Sequence, residues 1–167
     1  MLFCGFDNGV TGSISIVNSD GKVFYYSNTP VQRRLNYTKT KQYLNRLDGV
    51  KLAQGLKDVF LNYGNEIKCL IERPMINPGR FKATLSAIRC LESTLCVLES
   101  LGIPYEFCDS KEWQKIMLPK GLQKEELKFA SDEVCKRLFP NIKLSESGRG
   151  DSLLIAEYFR RHHNGQI

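Results

Sequence analysis

The pattern of apolar and polar positions along the chain predicts short strands that alternate with longer helices. Apolar and β-branched residues dominate 2–6, 13–17 and 22–26, and turn-forming residues separate these runs, which favours an antiparallel meander of three strands. Two further apolar runs, 67–71 and 103–108, lie between helical segments. The first is typical of a central strand parallel to the strand at 2–6, and Pro104 confines the second to an edge or an end of the sheet.

Five helices are predicted, two of them, 48–63 and 83–101, from apolar residues that recur at steps of three and four and the others from start and stop signals. The helical segments are 48–63, 83–101, 110–117, 124–139 and a last one that starts near 148–151 and ends at about 161. Asp48 and Ser110 are in position to cap the first and the third. The chain is therefore predicted to be one α/β domain, residues 1–167, with a mixed five-stranded sheet whose first three strands are antiparallel and which helices flank.

The segment 29–46 differs from the rest in its charge. It contains Arg33, Arg34, Lys39, Lys41 and Arg46, with tyrosines between them, and no acidic residue. Two interpretations stay open: a solvated loop, or a basic and aromatic arm that follows a phosphate backbone.

Composition narrows the function classes. A net charge of +6 and an isoelectric point near 9.0 favour an acidic partner, nucleic acid first. No apolar run is long enough to span a bilayer, and the N-terminus lacks the features of a signal peptide. The six cysteines form no metal-binding spacing and are expected to be reduced thiols in a cytoplasmic protein without membrane contact.

Three carboxylates occupy the ends of predicted elements. Asp7 ends the first strand, Glu72 ends the fourth strand, and Asp151 opens the last helix. A carboxylate at the end of a buried strand is costly unless something compensates it, and a divalent cation is the simplest candidate. A turn-capping role for Asp7 and a favourable helix-end position for Asp151 are the alternatives.

Five motifs follow one another along nearly the whole chain: FDNGVTG, LIERP, DSKEWQKIML, CKRLFP and GRGDSLLIAEYFRR. In this order they resemble the RuvC-type Holliday-junction resolvases, most closely the short versions that bacteriophages encode. The resemblance implies a ribonuclease-H-like fold, a homodimer, and divalent-metal-dependent nicking of branched DNA such as four-way junctions. It also implies a location in the cytoplasm of a bacterial host if a phage encodes the chain.

The resemblance implies that Asp7, Glu72 and Asp151 are the catalytic residues and that they hold two Mg²⁺ ions, which Mn²⁺ could replace. Clustered carboxylate oxygens suit such hard ions. The family usually carries a further Asp or His about one turn before the last Asp, where this chain has Gly148. We hypothesise that Glu146 supplies the missing ligand; the alternative is that Glu146 is a solvated loop residue.

The loop after Glu72 and two later segments contain the expected DNA contacts. Met75 is a candidate wedge for the junction centre, unless it is a buried anchor of the loop. The helix at 83–101 is the candidate dimer interface, although its apolar stripe is also typical of packing on a sheet. The residues expected to bind DNA are Arg73, Met75, Arg80, Lys82, Lys115, Lys124 and Arg149.

Three other functions compete with a junction nuclease. A DNA-junction binder on the same fold would keep the basic surface without nicking, and a ribonuclease could act on RNA–DNA hybrids. A sugar-kinase or actin-type ATPase uses a similar first hairpin. Such ATPases need a second similar half, for which 167 residues leave no room.

Overall fold

The structure is a computed structural model that describes residues 1–39, 41–63, 66–144 and 150–167. The strands are β1 (Leu2–Asp7), β2 (Ser13–Asn18), β3 (Val23–Asn28), β4 (Val31–Leu35), β5 (Tyr43–Leu47), β6 (Ile67–Glu72) and β7 (Tyr105–Cys108). The helices are α1 (Gly49–Tyr63), α2 (Phe81–Ser100), α3 (Ser110–Met117), α4 (Leu127–Leu138) and α5 (Asp151–His163). A short 3₁₀ turn, Pro78–Arg80, leads into α2.

The main sheet has five strands in the order β3-β2-β1-β6-β7. β1 pairs antiparallel with β2, and β2 with β3, whereas β1–β6 and β6–β7 are parallel pairs. The predicted mixed sheet with three antiparallel first strands is confirmed. β7 lies at the sheet edge, directly after Pro104, as expected for a strand that follows a residue without a backbone donor.

Alternate residues of the strands serve two hydrophobic cores, one on each face of the sheet. Leu2, Cys4 and Phe6 of β1 pack with residues of α1 and α2 on one face. On the other face, Phe3 and Leu70 pack with residues of α3, α4 and α5. No helix in the described part of the chain is long and apolar enough to cross a membrane.

Helix α5 lies directly on β1 because β1 has a glycine at the contact. A Cβ atom added at Gly5 would lie 2.5 Å from the backbone nitrogen of Ala156, closer than any side chain tolerates. The Ser152 hydroxyl, also on α5, accepts a hydrogen bond of 2.8 Å from Ser13 Oγ and lies 2.5 Å from Ser15 Oγ, and all three serines are fully buried. These contacts fix the first turn of α5 over β1 and β2.

The structure corrects several sequence-based expectations. The basic segment is not a solvated loop, because β4 and β5 within it pair antiparallel as a separate two-stranded hairpin. The alternative interpretation, that it follows a phosphate backbone, stays a prediction. Asp109, not Ser110, caps α3, since its side chain and that of Glu112 form a reciprocal capping box. The helix predicted at 83–101 begins two residues earlier, and the one predicted at 124–139 begins three residues later.

Candidate active site

Asp7 and Glu72 lie side by side at the carboxyl ends of two neighbouring parallel strands. Phe6 of β1 is in register with Ile71 of β6, and each carboxylate is the next residue along its strand. Because Phe6 and Ile71 both belong to the core under α1 and α2, the residues that follow them face α5. The sheet register therefore directs both carboxylates to one face.

Helix α5 brings the third carboxylate to the same place. Asp151 is the first residue of α5, one residue before Ser152, whose hydroxyl contacts Ser13. Ser13 is in turn the β2 partner of Asp7. All three carboxylates are half-buried at this corner, so the structure brings together the three residues that the sequence singled out.

Two side chains that the sequence did not single out hold these carboxylates. Trp113 Nε1, on α3, donates a hydrogen bond of 2.7 Å to Glu72 Oε2. Ser131 Oγ, on α4, donates to Asp151 Oδ1. Each donor comes from a helix of the same layer as α5, and no local sequence pattern relates it to the carboxylate that it contacts.

The environment makes a negative charge on Glu72 unfavourable. Burial is the largest cause, and the nearby charges of Asp151 and Asp109 add to it, so that the pKa of Glu72 rises to about 7. The hydrogen bond from Trp113 acts in the opposite direction but does not cancel these effects. A cation at this corner would relieve both the desolvation and the repulsion between like charges.

The donor type fits a hard divalent cation, since all three side chains offer carboxylate oxygens. Among the described residues, however, no group of three or more His, Cys, Asp or Glu side chains lies close enough to hold a metal ion. Binding an ion would require these side chains to draw together.

The fourth ligand proposed from the sequence, Glu146, and the proposed DNA contact Arg149 both lie outside the described residues. A different acidic residue, Asp132 of α4, lies near Asp151 in the structure. Its carboxylate accepts a hydrogen bond from the backbone N–H of Gly150, and burial together with the charge of Asp151 raises its pKa. Asp132 and Asp151 are 19 positions apart in sequence, so only the packing of α4 against α5 could reveal their proximity.

Cations of the predicted DNA surface lie along the loop that follows Glu72. Arg73 forms an ion pair with Asp109, with 3.1 Å between Nη1 and Oδ1, and its guanidinium lies 5.8 Å from the centre of the Phe107 ring. Arg80 ends the 3₁₀ turn, and Lys82 lies in the first turn of α2; both are exposed.

Apolar side chains project from the same loop. Met75 is 74% exposed, which excludes the alternative that it is a buried anchor. Ile76 and Phe81 are also 72% and 67% exposed, so this surface is more apolar than the sequence analysis predicted from Met75 alone. Exposed apolar residues next to a cationic surface are suited to partially unstacking DNA bases.

The two later lysines lie beyond Trp113 on the α3 side of the site. Lys115 is exposed on α3, and Lys124 is exposed in the connection between α3 and α4. Lys111, Lys115 and Lys120 line a shallow groove at the end of α3. These cations add to the exposed positive charge on α3 and the connection that follows it.

Comparison with known proteins gives matches in structure but not in sequence. No family profile and no curated protein matches this chain. Thermus thermophilus RuvC in complex with a Holliday junction substrate is 11% identical and superposes with a TM-score of 0.64, over 99% of this chain and 98% of the other. A second Thermus thermophilus RuvC structure is 14% identical, with a TM-score of 0.60 and the same coverage. The chain therefore has the ribonuclease-H-like fold of RuvC, with its mixed five-stranded sheet.

Proposed function

We propose that this protein is a metal-dependent, structure-selective endonuclease that nicks four-way junctions and other branched DNA. The observation that carries the proposal is the convergence of Asp7, Glu72 and Asp151 at one corner of a RuvC-like fold. The exposed cations and apolar side chains beside this corner support a DNA substrate.

In this proposal, Asp7, Glu72 and Asp151 hold two Mg²⁺ ions, or Mn²⁺ in their place. Such ions supply an activated water and stabilise the leaving oxygen of a phosphodiester. Trp113 orients Glu72, and Ser131 orients Asp151, through the hydrogen bonds described above. Glu146 stays our candidate for a further ligand.

Residues of the surface around the carboxylates would bind and position the DNA. Arg80 and Lys82 would contact phosphates close to the scissile bond, and Met75 would insert at the junction centre. Arg73, Lys115, Lys124 and Arg149 would extend these contacts. Neutralising one phosphate-contacting residue should reduce the slope of log affinity against log salt by about one.

We further propose that the protein acts as a homodimer through α2, because paired cuts require two active sites. Ile88, Leu91 and Leu95 of this helix are only half-buried, although Leu98 is fully buried. A second copy would cover these apolar side chains. Equilibrium sedimentation with and without a four-way junction tests this step, and a monomer under both conditions would contradict it.

The decisive experiment measures nicking and binding separately. Wild type, Asp7→Asn and Asp151→Asn are incubated with a four-way junction, a matched duplex and an RNA–DNA hybrid, each with Mg²⁺, Mn²⁺ or EDTA. We expect the wild type to nick the junction only with a divalent ion, and both variants to bind it without nicking. Asp58→Asn, on the exposed surface of α1, is the matched control and should nick like wild type.

A non-catalytic junction binder is the second candidate. It is favoured by the lack, within the described ranges, of a preformed set of three metal-binding side chains. Junction binding by wild type with no nicking in either Mg²⁺ or Mn²⁺ would establish this candidate and refute the nuclease. Preferential cutting of the hybrid would instead indicate a ribonuclease.

A further inference from the structure

The hairpin of β4 and β5 encloses a groove against α2. The groove has a volume of about 230 Å³, and its walls include Asn36, Gln42 and Tyr43 from the hairpin and Arg89 from α2. Backbone hydrogen bonds fix the base of the hairpin: Thr29 donates to Gly12 and Asp48 donates to Pro30. The hairpin and α2 therefore form a built cleft.

The groove is cationic. Arg46, Lys82 and Arg89 line it, and none of its described lining residues is acidic. Asn36, Gln42 and other residues with hydrogen-bonding side chains also line it. A phosphate would therefore meet positive charge, and a polar base edge would meet amides, which pair with the edges of bases.

Two exposed tyrosines flank the groove, each with an arginine against it. Tyr43 is 61% exposed, and the guanidinium of Arg33 lies 4.9 Å from its ring centre. Tyr37 is 81% exposed; Arg89 donates a hydrogen bond of 2.8 Å to its hydroxyl and lies 5.2 Å from its ring centre. Cation and aromatic side chains combined in this way are typical of surfaces on which unpaired bases stack.

The groove is continuous with the loop that begins at Asp7. Val10 of this loop lines the groove, and Asn8 Nδ2 donates a hydrogen bond of 3.2 Å to the carbonyl of Ala87 on α2. Burial is the main reason that the pKa of the Cys90 thiol, another groove residue, is raised, and the charge of nearby Asp7 adds to it. A strand that leaves the carboxylate corner can thus enter the groove directly.

We propose that this groove binds a single-stranded segment of the DNA substrate, with a base stacked on Tyr43 and the backbone held by Arg46 and Arg89. The step rests on the proposed nuclease function, which it deepens by naming an unpaired strand as part of the substrate. An unpaired nucleotide offers both a phosphate and an exposed aromatic face, whereas the base faces of a duplex are stacked on one another.

Fluorescence anisotropy with a labelled thymidine oligonucleotide of about 12 nucleotides and with a matched duplex tests the groove, since such sites cover roughly 4–16 nucleotides. Tyr43→Ala should weaken binding of the oligonucleotide about tenfold, whereas Tyr43→Phe, which keeps the ring, should bind like wild type. Arg46→Gln should weaken it and lower the salt slope by about one. Lys57→Gln, an equal charge change on exposed α1, is the control.

Duplex binding should change less than twofold in the Tyr43 variants. Equal losses of affinity for oligonucleotide and duplex would overturn the proposal, because the groove would then only attract phosphates. Unchanged oligonucleotide binding by Tyr43→Ala would also overturn it. Circular dichroism of each variant checks that the fold is retained. Junction nicking by wild type is measured in parallel. If wild type nicks the junction and Tyr43→Ala binds the oligonucleotide as tightly as wild type, only the groove proposal is refuted. If oligonucleotide binding depends on Tyr43 but wild type does not nick the junction, the groove is supported and the nuclease is refuted.

Discussion

Replacement of Glu72 by glutamine should abolish nicking and, at the same time, stabilise the metal-free protein above neutral pH. Burial and the charges of Asp151 and Asp109 raise the pKa of Glu72 from its usual 4.5 to about 7. Between these two values the folded chain keeps the proton that the unfolded chain releases, so the free energy of unfolding falls as pH rises. Above pH 7 Glu72 is ionised in both states, and the full cost of its buried charge lowers the free energy of unfolding.

The size of the penalty follows from the same pKa values. One unit of pKa corresponds to about 1.4 kcal/mol, so the increase to about 7 costs the folded state roughly 3 kcal/mol at pH 8. Glutamine has nearly the same shape, has no charge and can still accept the hydrogen bond from Trp113. In a protein of this size, roughly 3 kcal/mol corresponds to a rise of about 6–12 °C in Tm.

Urea unfolding in EDTA at pH 4 and pH 8 measures this effect without any need for activity. Glu72→Gln should be about 3 kcal/mol more stable than wild type at pH 8 and nearly equal to it at pH 4. Glu106→Gln, an exposed residue of the neighbouring edge strand β7, should have the same free energy of unfolding as wild type at either pH. Added Mg²⁺ should stabilise wild type more than Glu72→Gln. A difference between Glu72→Gln and wild type that is independent of pH would refute the reasoning.

Three other changes test parts of the structure. Gly5→Ala should lower the free energy of unfolding by about 1–3 kcal/mol in chemical denaturation, because α5 must move away from β1, and a variant as stable as wild type would contradict the close contact. Ser131→Ala, which frees Asp151 from its donor, should raise the Mg²⁺ concentration for half-maximal nicking about 10-fold or more; an unchanged titration curve would show that this hydrogen bond does not orient Asp151. Met75→Ala should leave duplex affinity intact but reduce the 2-aminopurine fluorescence that reports unstacking at the junction centre, and equal fluorescence would argue against a wedge.

Local sequence pattern determined the main sheet and the positions of two carboxylates. Strand β1 is buried on both faces, and β6 is largely so apart from the half-buried Lys68. Apolar residues therefore dominate both strands up to the carboxylates at their ends, Asp7 and Glu72. Asp151 could be placed at the start of α5 because glycines precede it and an apolar helical pattern follows. These features depend on neighbours in sequence, and a single chain displays them directly.

Contacts between distant segments decided the rest. The β4–β5 hairpin was missed because most of its side chains are exposed and half are polar, so its strands pair without a regular apolar alternation; of these two strands only Leu47 is buried. The contact of Trp113 with Glu72 and that of Ser131 with Asp151 join residues 41 and 20 positions apart. The groove likewise exists only where the hairpin meets α2. Burial and hydrogen bonding between segments that are remote in sequence depend on tertiary packing, and they determine how the carboxylates are held and what charge they carry.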